Sequence, residues 1–175
     1  MKGQFFTYLE TKTYQTRYRA EFITITEDIN SIIKKSGIKS GSVLIQTHHT
    51  TCGIWVNENE KNLIGPTEEL GYTSDLRKVL DNFANPMHDY GHNDIADHKN
   101  KNGKRNTHLC EPDENGVINE CINGHAHAQA MIIGPSITLI IEDSKILKGV
   151  WQEVMLVELD HDRERQVSVL VQGMK

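Results

Sequence analysis

No apolar run in this chain approaches the ~20 residues that a helix needs to span a bilayer. Its start, Met1-Lys2-Gly3-Gln4-Phe5-Phe6, lacks the apolar core of a signal peptide. A cytoplasmic protein with no membrane partner is expected. Cysteine is scarce, with only Cys52, Cys110 and Cys121 present. An odd number of thiols in a reducing compartment argues against a disulfide framework. The lack of a CxxC pair removes the commonest zinc-ribbon arrangement. Basic residues are in deficit, with a net charge of −5, so the composition implies no nucleic-acid face. P-loop, GxGxxG, nucleophile-elbow and HExxH patterns are all missing, which removes the commonest sequence signatures of nucleotide, acyl-transfer and metalloprotease chemistry.

What is present is histidine. There are nine, and His88, His92, His98, His108, His125 and His127 crowd the middle of the chain. Such clustering raises the expectation of metal binding or acid–base chemistry. The densest polar stretch is Thr47-His48-His49-Thr50-Thr51-Cys52-Gly53-Ile54-Trp55-Val56-Asn57-Glu58-Asn59. It lies between the apolar runs Val43–Ile45 and Ile54–Val56, both read as strands. Polar groups this concentrated beside strands point to a site, although a polar hairpin crossing gives the same pattern.

The length, 175 residues, suits one domain with a real core. Phe5 to Tyr14 and Phe22–Ile25 favour strands. Thr26-Glu27-Asp28 reads as a capped helix start, Ile29, Ile32 and Ile33 follow at helical spacing, and Gly37 ends the helix. A second helix fits Leu76, Val79, Leu80 and Phe83. A third fits the alanine-rich run from Asn123 to Ile133. Ile137–Ile141, Val150–Leu159 and Gln166–Val171 read as strands. The expected fold is a single α+β domain over residues 1–175, with mainly antiparallel sheets in two layers and two or three helices. Residues 98–121 read as a long irregular insertion.

Spacing leaves the ligand set open. His125 and His127 face one side on a strand but diverge by about 200° on a helix. His48 and His49, adjacent in a strand, face opposite sides. Glu58, Asp89, Asp94 and Asp97 are carboxylates that could ligate, orient a histidine or act as base. Cys52 suits a small buried thiol better than a nucleophile.

The blocks His49-Thr50-Thr51-Cys52-Gly53, Asn57-Glu58-Asn59, Asn123-Gly124-His125-Ala126-His127, Gly134-Pro135-Ser136 and Gly149-Val150-Trp151-Gln152, in this order, resemble the YjbQ-like family. Some members of that family are labelled secondary thiamine-phosphate synthases. The resemblance extends over nearly the whole chain. It implies a compact α+β homotrimer with His49, His92 and His127 converging on a divalent metal, zinc in expectation, in a pocket near the subunit interface. His88 competes with His92 for the middle position. Val150 replaces the family's usual threonine. By chemistry and position beside such a site, Glu58 is the candidate general base or a group that orients a metal ligand. Thr50, Thr51, Asn57 and Trp151 are candidates to hold a small anionic or phosphorylated ligand. Two functional readings follow: a metal-dependent enzyme on such a metabolite, with thiamine phosphate formation as the family label, or a non-catalytic metal or metabolite sensor. A third keeps the histidines structural.

Overall fold

A computed structural model of the chain describes residues 4–95, 107, 110, 112–116 and 118–175. The first strand, β1 (Phe5–Gln15), alternates exposed and half-buried side chains along its length, the period-2 pattern of a strand with one face on a core. It pairs antiparallel with the last strand, β8 (Glu164–Met174), over its full length. Val167, Val169 and Val171 of β8 point inward and are fully buried or nearly so. Beside β8 lies β3 (Ser40–Thr47), then β5 (Ser136–Glu142) and the short β6 (Lys145–Ile146), giving the order β1-β8-β3-β5-β6. Gly41 and Gly173 allow the close approach of β3 and β8, because a Cβ on either would lie about 2 Å from the opposing backbone oxygen.

A second sheet has the order β2-β7-β4, built from Glu21–Thr24, Gln152–Glu158 and Cys52–Glu58. Its central strand is buried continuously from Val154 to Glu158, as expected of a strand covered on both faces. Val154 and Leu156 join the core shared with the larger sheet, alongside Ile45, Ile54 and Val169. Met155 and Val157 face the other way, onto Leu80 and Ala126. Helix α1 (Thr26–Ser36) seals the first core with Ile29, Ile32 and Ile33, each contributing roughly 1.5–3 kcal/mol by burial. Helices α4 (Asp75–Phe83) and α5 (Gly124–Ile133) contribute Leu80 and Ala126 to the second.

This is the expected two-sheet α+β architecture, with differences. Five α-helices form among the described residues, because Lys61–Ile64 (α2) and Thr67–Leu70 (α3) each make a single turn, too short to show a period. Helix α1 is not capped by Thr26. Ile25 takes the N-cap position, and the Thr26 hydroxyl accepts the Val154 N–H at 2.8 Å. Gly37, at φ 71°, does end the helix. The expectation against disulfides is overturned, since Cys110 and Cys121 are bonded. Much of the expected 98–121 insertion lies outside the described residues. No helix among the described residues is long and apolar enough to cross a membrane.

Candidate functional site

One end of the molecule gathers the β3–β4 turn, the β7–β8 turn and the start of α5. Strand register dictates the first two: Thr47 stands opposite Val167, and Cys52 opposite Glu158. The β3–β4 turn is pinned at several points. The Thr47 hydroxyl accepts the His49 N–H at 3.3 Å and contacts Cys52 Sγ at 2.8 Å. The His48 N–H donates to the Gln166 carbonyl at 3.1 Å, and His48 Nε2 meets Ser168 Oγ at 2.8 Å. His49 Nε2 accepts the Gln166 N–H at 3.0 Å. A neutral imidazole has one acceptor nitrogen, so this bond places the His49 proton on Nδ1. Burial and the nearby Arg165 charge lower the His49 pKa below its ordinary value, favouring that neutral ring.

Beneath the turn lies a buried ion pair. Arg165 and Glu158 are 1% and 0% exposed, so the pair must satisfy itself almost completely. Arg165 Nε and Nη2 donate to the two Glu158 carboxylate oxygens at 2.6 and 2.5 Å. Arg165 Nη2 also donates to Thr51 Oγ1 at 3.0 Å, which fixes Thr51. Glu158 accepts further bonds from the Thr16 hydroxyl at 3.0 Å and the Asp160 N–H at 2.8 Å. Two residues away, Arg163 pairs with Asp160 at 3.1 Å and reaches Glu120 at 3.5 Å.

The third component is α5, whose helical geometry resolves the His-x-His ambiguity. His125 points inward and is 7% exposed, with its pKa lowered chiefly by burial and then by Arg19. His127, on another face, borders the cavity described below. Its ring centroid lies 4.4 Å from that of His92, at an interplanar angle of 63°. His92 is delivered by the 3-10 turn Gly91–Asn93. That turn is held on α5 by Asn93 Oδ1, which accepts the Gly124 N–H at 2.9 Å. A Cβ at Gly124 would approach Tyr90 Cβ to 2.5 Å, so only glycine permits this contact. His88 is exposed on the preceding turn. Asn123, at the N-cap of α5, spends its Nδ2 on Asp160 at 2.9 Å and makes no side-chain cap bond.

These elements border an open cavity of 300 Å³ lined by His49, Thr50, Thr51, Asn123, His127 and Arg163, among others. A 420 Å³ hollow adjoins it, sharing His48, His49, Thr50 and His127 and adding Cys52, Met131 and Pro135. Hydrogen-bond donors predominate in the smaller cavity. Thr51 accepts from Arg165, which leaves its O–H to donate. Glu120 is the single carboxylate in the lining among the described residues. Arg163 Nε and Asn123 Oδ1 are buried without a hydrogen-bond partner among the described residues, and orphaned buried groups cost roughly 1–3 kcal/mol each. Cys52 is a buried structural thiol, 1% exposed, its pKa raised mainly by burial.

Not every candidate from the sequence arrives here. His49, His127, Thr50 and Thr51 share the cavity, and His92 touches His127. Glu58, Asn57 and Trp151 gather elsewhere. Glu58 pairs with Gln152 at the far end of β4, and a seven-residue strand separates its ends by about 20 Å. Within one chain, therefore, Glu58 does not reach the histidines. Nor do the described residues fit a preformed metal centre. No group of three or more His, Cys, Asp or Glu among them could hold a metal ion, and the one acceptor nitrogen of His49 is committed to Gln166. Arg163, Arg165, Glu158 and Asn123 were not among the sequence candidates. For Arg165 a signal existed: it shares the inward parity of Val167, Val169 and Val171, and an arginine on the buried face of a strand demands a partner.

A family model described as UPF0047 protein YjbQ-like matches residues 10–174. A UPF0047 protein of Methanocaldococcus jannaschii is 30% identical, over 92% of this chain and 91% of its own length. One from Methanothermobacter thermautotrophicus is 26% identical, over 95% and 92%. A crystal structure of a YbjQ-like protein of unknown function from Sulfolobus solfataricus superposes with a TM-score of 0.74 and 27% identity, covering 97% of this chain and 99% of that one. An uncharacterised conserved protein from Clostridium acetobutylicum gives a TM-score of 0.65 and 25% identity, covering 95% and 99%.

Proposed function

This chain belongs to the UPF0047 YjbQ-like family, and we propose that it binds a small anionic metabolite, phosphorylated or carboxylated, in the cavity at the start of α5. The observation that carries this reading is the donor-rich lining. Arg163, the hydroxyls of Thr50 and Thr51, and His49 with its proton on Nδ1 border one small volume. The N-terminus of a ten-residue helix stands beside them without a side-chain cap from Asn123. Helix N-termini favour negative charge, and fixed guanidinium and hydroxyl donors suit phosphate and carboxylate oxygens. The Arg165–Glu158 pair does not supply net charge. It supplies rigidity, holding Thr51 in place.

The catalytic form of this reading is the thiamine-phosphate-forming transfer that the family resemblance implies. Glu58 can serve as its base only if a second copy of the chain delivers it. Homotrimeric assembly in the cytoplasm is part of the proposal. Support for assembly comes from Met131 and Ile132, exposed at the end of α5 beside the hollow, and from β5, whose Ser136–Leu139 segment pairs on one side among the described residues. Calorimetric titration with inorganic phosphate and diphosphate tests the binding claim. One saturable site per chain is expected, weakened about tenfold or more in Arg163→Met, the scale of one lost charge-assisted contact. Absence of saturable binding would contradict it.

Zinc binding is a second reading, favoured by one observation, the 4.4 Å ring contact of His92 with His127. It requires His49 to release the Gln166 N–H and turn its ring. Elemental analysis of the purified chain and of His127→Ala tests it: metal near one per chain, lost in the variant, supports the reading, and metal-free protein after reconstitution opposes it.

A further inference from the structure

The anion-binding reading leaves one wall of the cavity without a role. Cys110 and Cys121 are joined by a disulfide, and both border the cavity together with His49, His127, Arg163 and Arg165. Cys121 closes a 3-10 turn (Asn119–Cys121) just before α5 and is 2% exposed. Cys110 is half-buried. Its N–H donates to the Thr107 carbonyl at 3.0 Å, and Thr107 is itself buried. The bridge therefore fastens Cys110, whose N–H holds the Thr107 carbonyl, to the start of the helix that presents His127. Glu120, next to Cys121, reaches Arg163 from the same wall. The third cysteine stands apart, with Cys52 buried under the β3–β4 turn against Thr47 Oγ1.

We propose that the Cys110–Cys121 bridge is a thiol–disulfide exchange site for small thiols, reached through the cavity, and that its state sets how tightly the cavity holds its anion. This rests on the anion-binding reading above. A small thiolate attacks Sγ of Cys110, the more exposed of the two residues. The sulfur–sulfur bond breaks, and Cys121 leaves as a thiolate. A second thiolate attacks the mixed disulfide, releasing the small disulfide and the Cys110 thiolate, and each protein sulfur takes up a proton from water. Two small thiols are oxidised and the bridge is reduced. Exchange rates rise with access and with stabilisation of the leaving thiolate. A guanidinium near a sulfur favours thiolate character, and Arg163 lines this cavity. After reduction Cys121 stays with α5, while Cys110 loses its covalent tie to it. Coupling between two sites is reciprocal. If the intact bridge tightens anion binding, a bound anion must make the bridge harder to reduce by the same factor.

The test uses the full chain without denaturant. Glutathione buffers of graded ratio are followed by iodoacetamide, and alkylated cysteines are mapped by mass spectrometry. Phosphate affinity is measured by calorimetry on the oxidised chain, the reduced chain and the Cys110→Ser/Cys121→Ser variant. Cys110 and Cys121 are expected to become labelled while Cys52 does not. Phosphate is expected to bind about tenfold more weakly to the reduced chain and to the double variant, and saturating phosphate to shift the glutathione ratio by the same factor, within the usual range for coupled sites. A bridge that opens only in denaturant, or equal phosphate affinity in both forms, overturns the proposal. Native exchange with no phosphate binding to either form overturns the linkage and the anion-binding reading together. Denaturant-only opening beside normal phosphate binding removes the redox claim and leaves that reading intact.

Discussion

His125 and His127 sit two positions apart and have different surroundings, and the reason is the turn angle of a helix. A step of two residues rotates the side chain by about 200°, so one ring enters the core and the other borders the cavity. The buried ring has a measurable consequence. Burial holds the pKa of His125, and that of His49, below the ordinary value of about 6.5. As pH falls through about 6.5, the unfolded chain takes up these protons and the folded chain resists, so stability falls. Stability is flat with respect to these two groups above that pH, and is lost progressively down to their lowered folded values. Urea denaturation at about pH 7.5 and about pH 5.5 should show the loss, and His125→Gln should remove part of it. A variant with the full wild-type slope would exclude His125 as a source. Reading the two rings apart needed only the helix assignment for 124–133. Arg165 was harder: its inward parity was visible along β8, but its partner Glu158 lies across the β7–β8 turn, and pairing across a turn requires the register.

At the scale of elements, the site depends on how α5 receives its neighbours. Tyr90 packs where a Cβ of residue 124 would be, and Asn93 accepts the Gly124 N–H. Together they seat the turn that carries His92 against His127. Gly124→Ala should displace Tyr90, cost about 1–3 kcal/mol as other overpacked contacts do, and separate the two rings. Urea denaturation and the loss of the His92–His127 nuclear Overhauser contact would show both effects. Unchanged stability with the contact retained would mean that the turn is held elsewhere. The strands themselves were largely legible, because β1 and β8 alternate and β7 is a continuous apolar run. Glu58 stands apart from the histidines of its own chain for a specific reason. Asn57-Glu58-Asn59 reads as the polar exit from a short strand at Ile54–Val56, but β4 begins at Cys52 and runs to Glu58. The turn with His49 and the carboxylate thus stand at opposite ends of one strand. The single-turn helices α2 and α3 escaped notice because four residues cannot display a helical period.

For the whole molecule, the chain is a two-sheet α+β protein whose polar chemistry collects at one end. The disulfide shows what composition alone could not supply. Counting thiols and assuming a reducing compartment argued against a bridge, whereas pairing depends on proximity, and the chain brings Cys110 to Cys121 beside α5. The proposed anion site lies at this end. A competing cationic surface exists: Lys34, Lys145 and Lys148 border a 500 Å³ groove between α1 and β6. The most direct measurement is therefore one that locates binding, namely nuclear magnetic resonance titration of the isotope-labelled chain with inorganic phosphate. Saturable shifts of His49, Thr50, Thr51 and His127 are expected, with the groove unmoved. Shifts confined to Lys34, Lys145 and Lys148, or no saturable shift at the histidines, would contradict anion binding at this end.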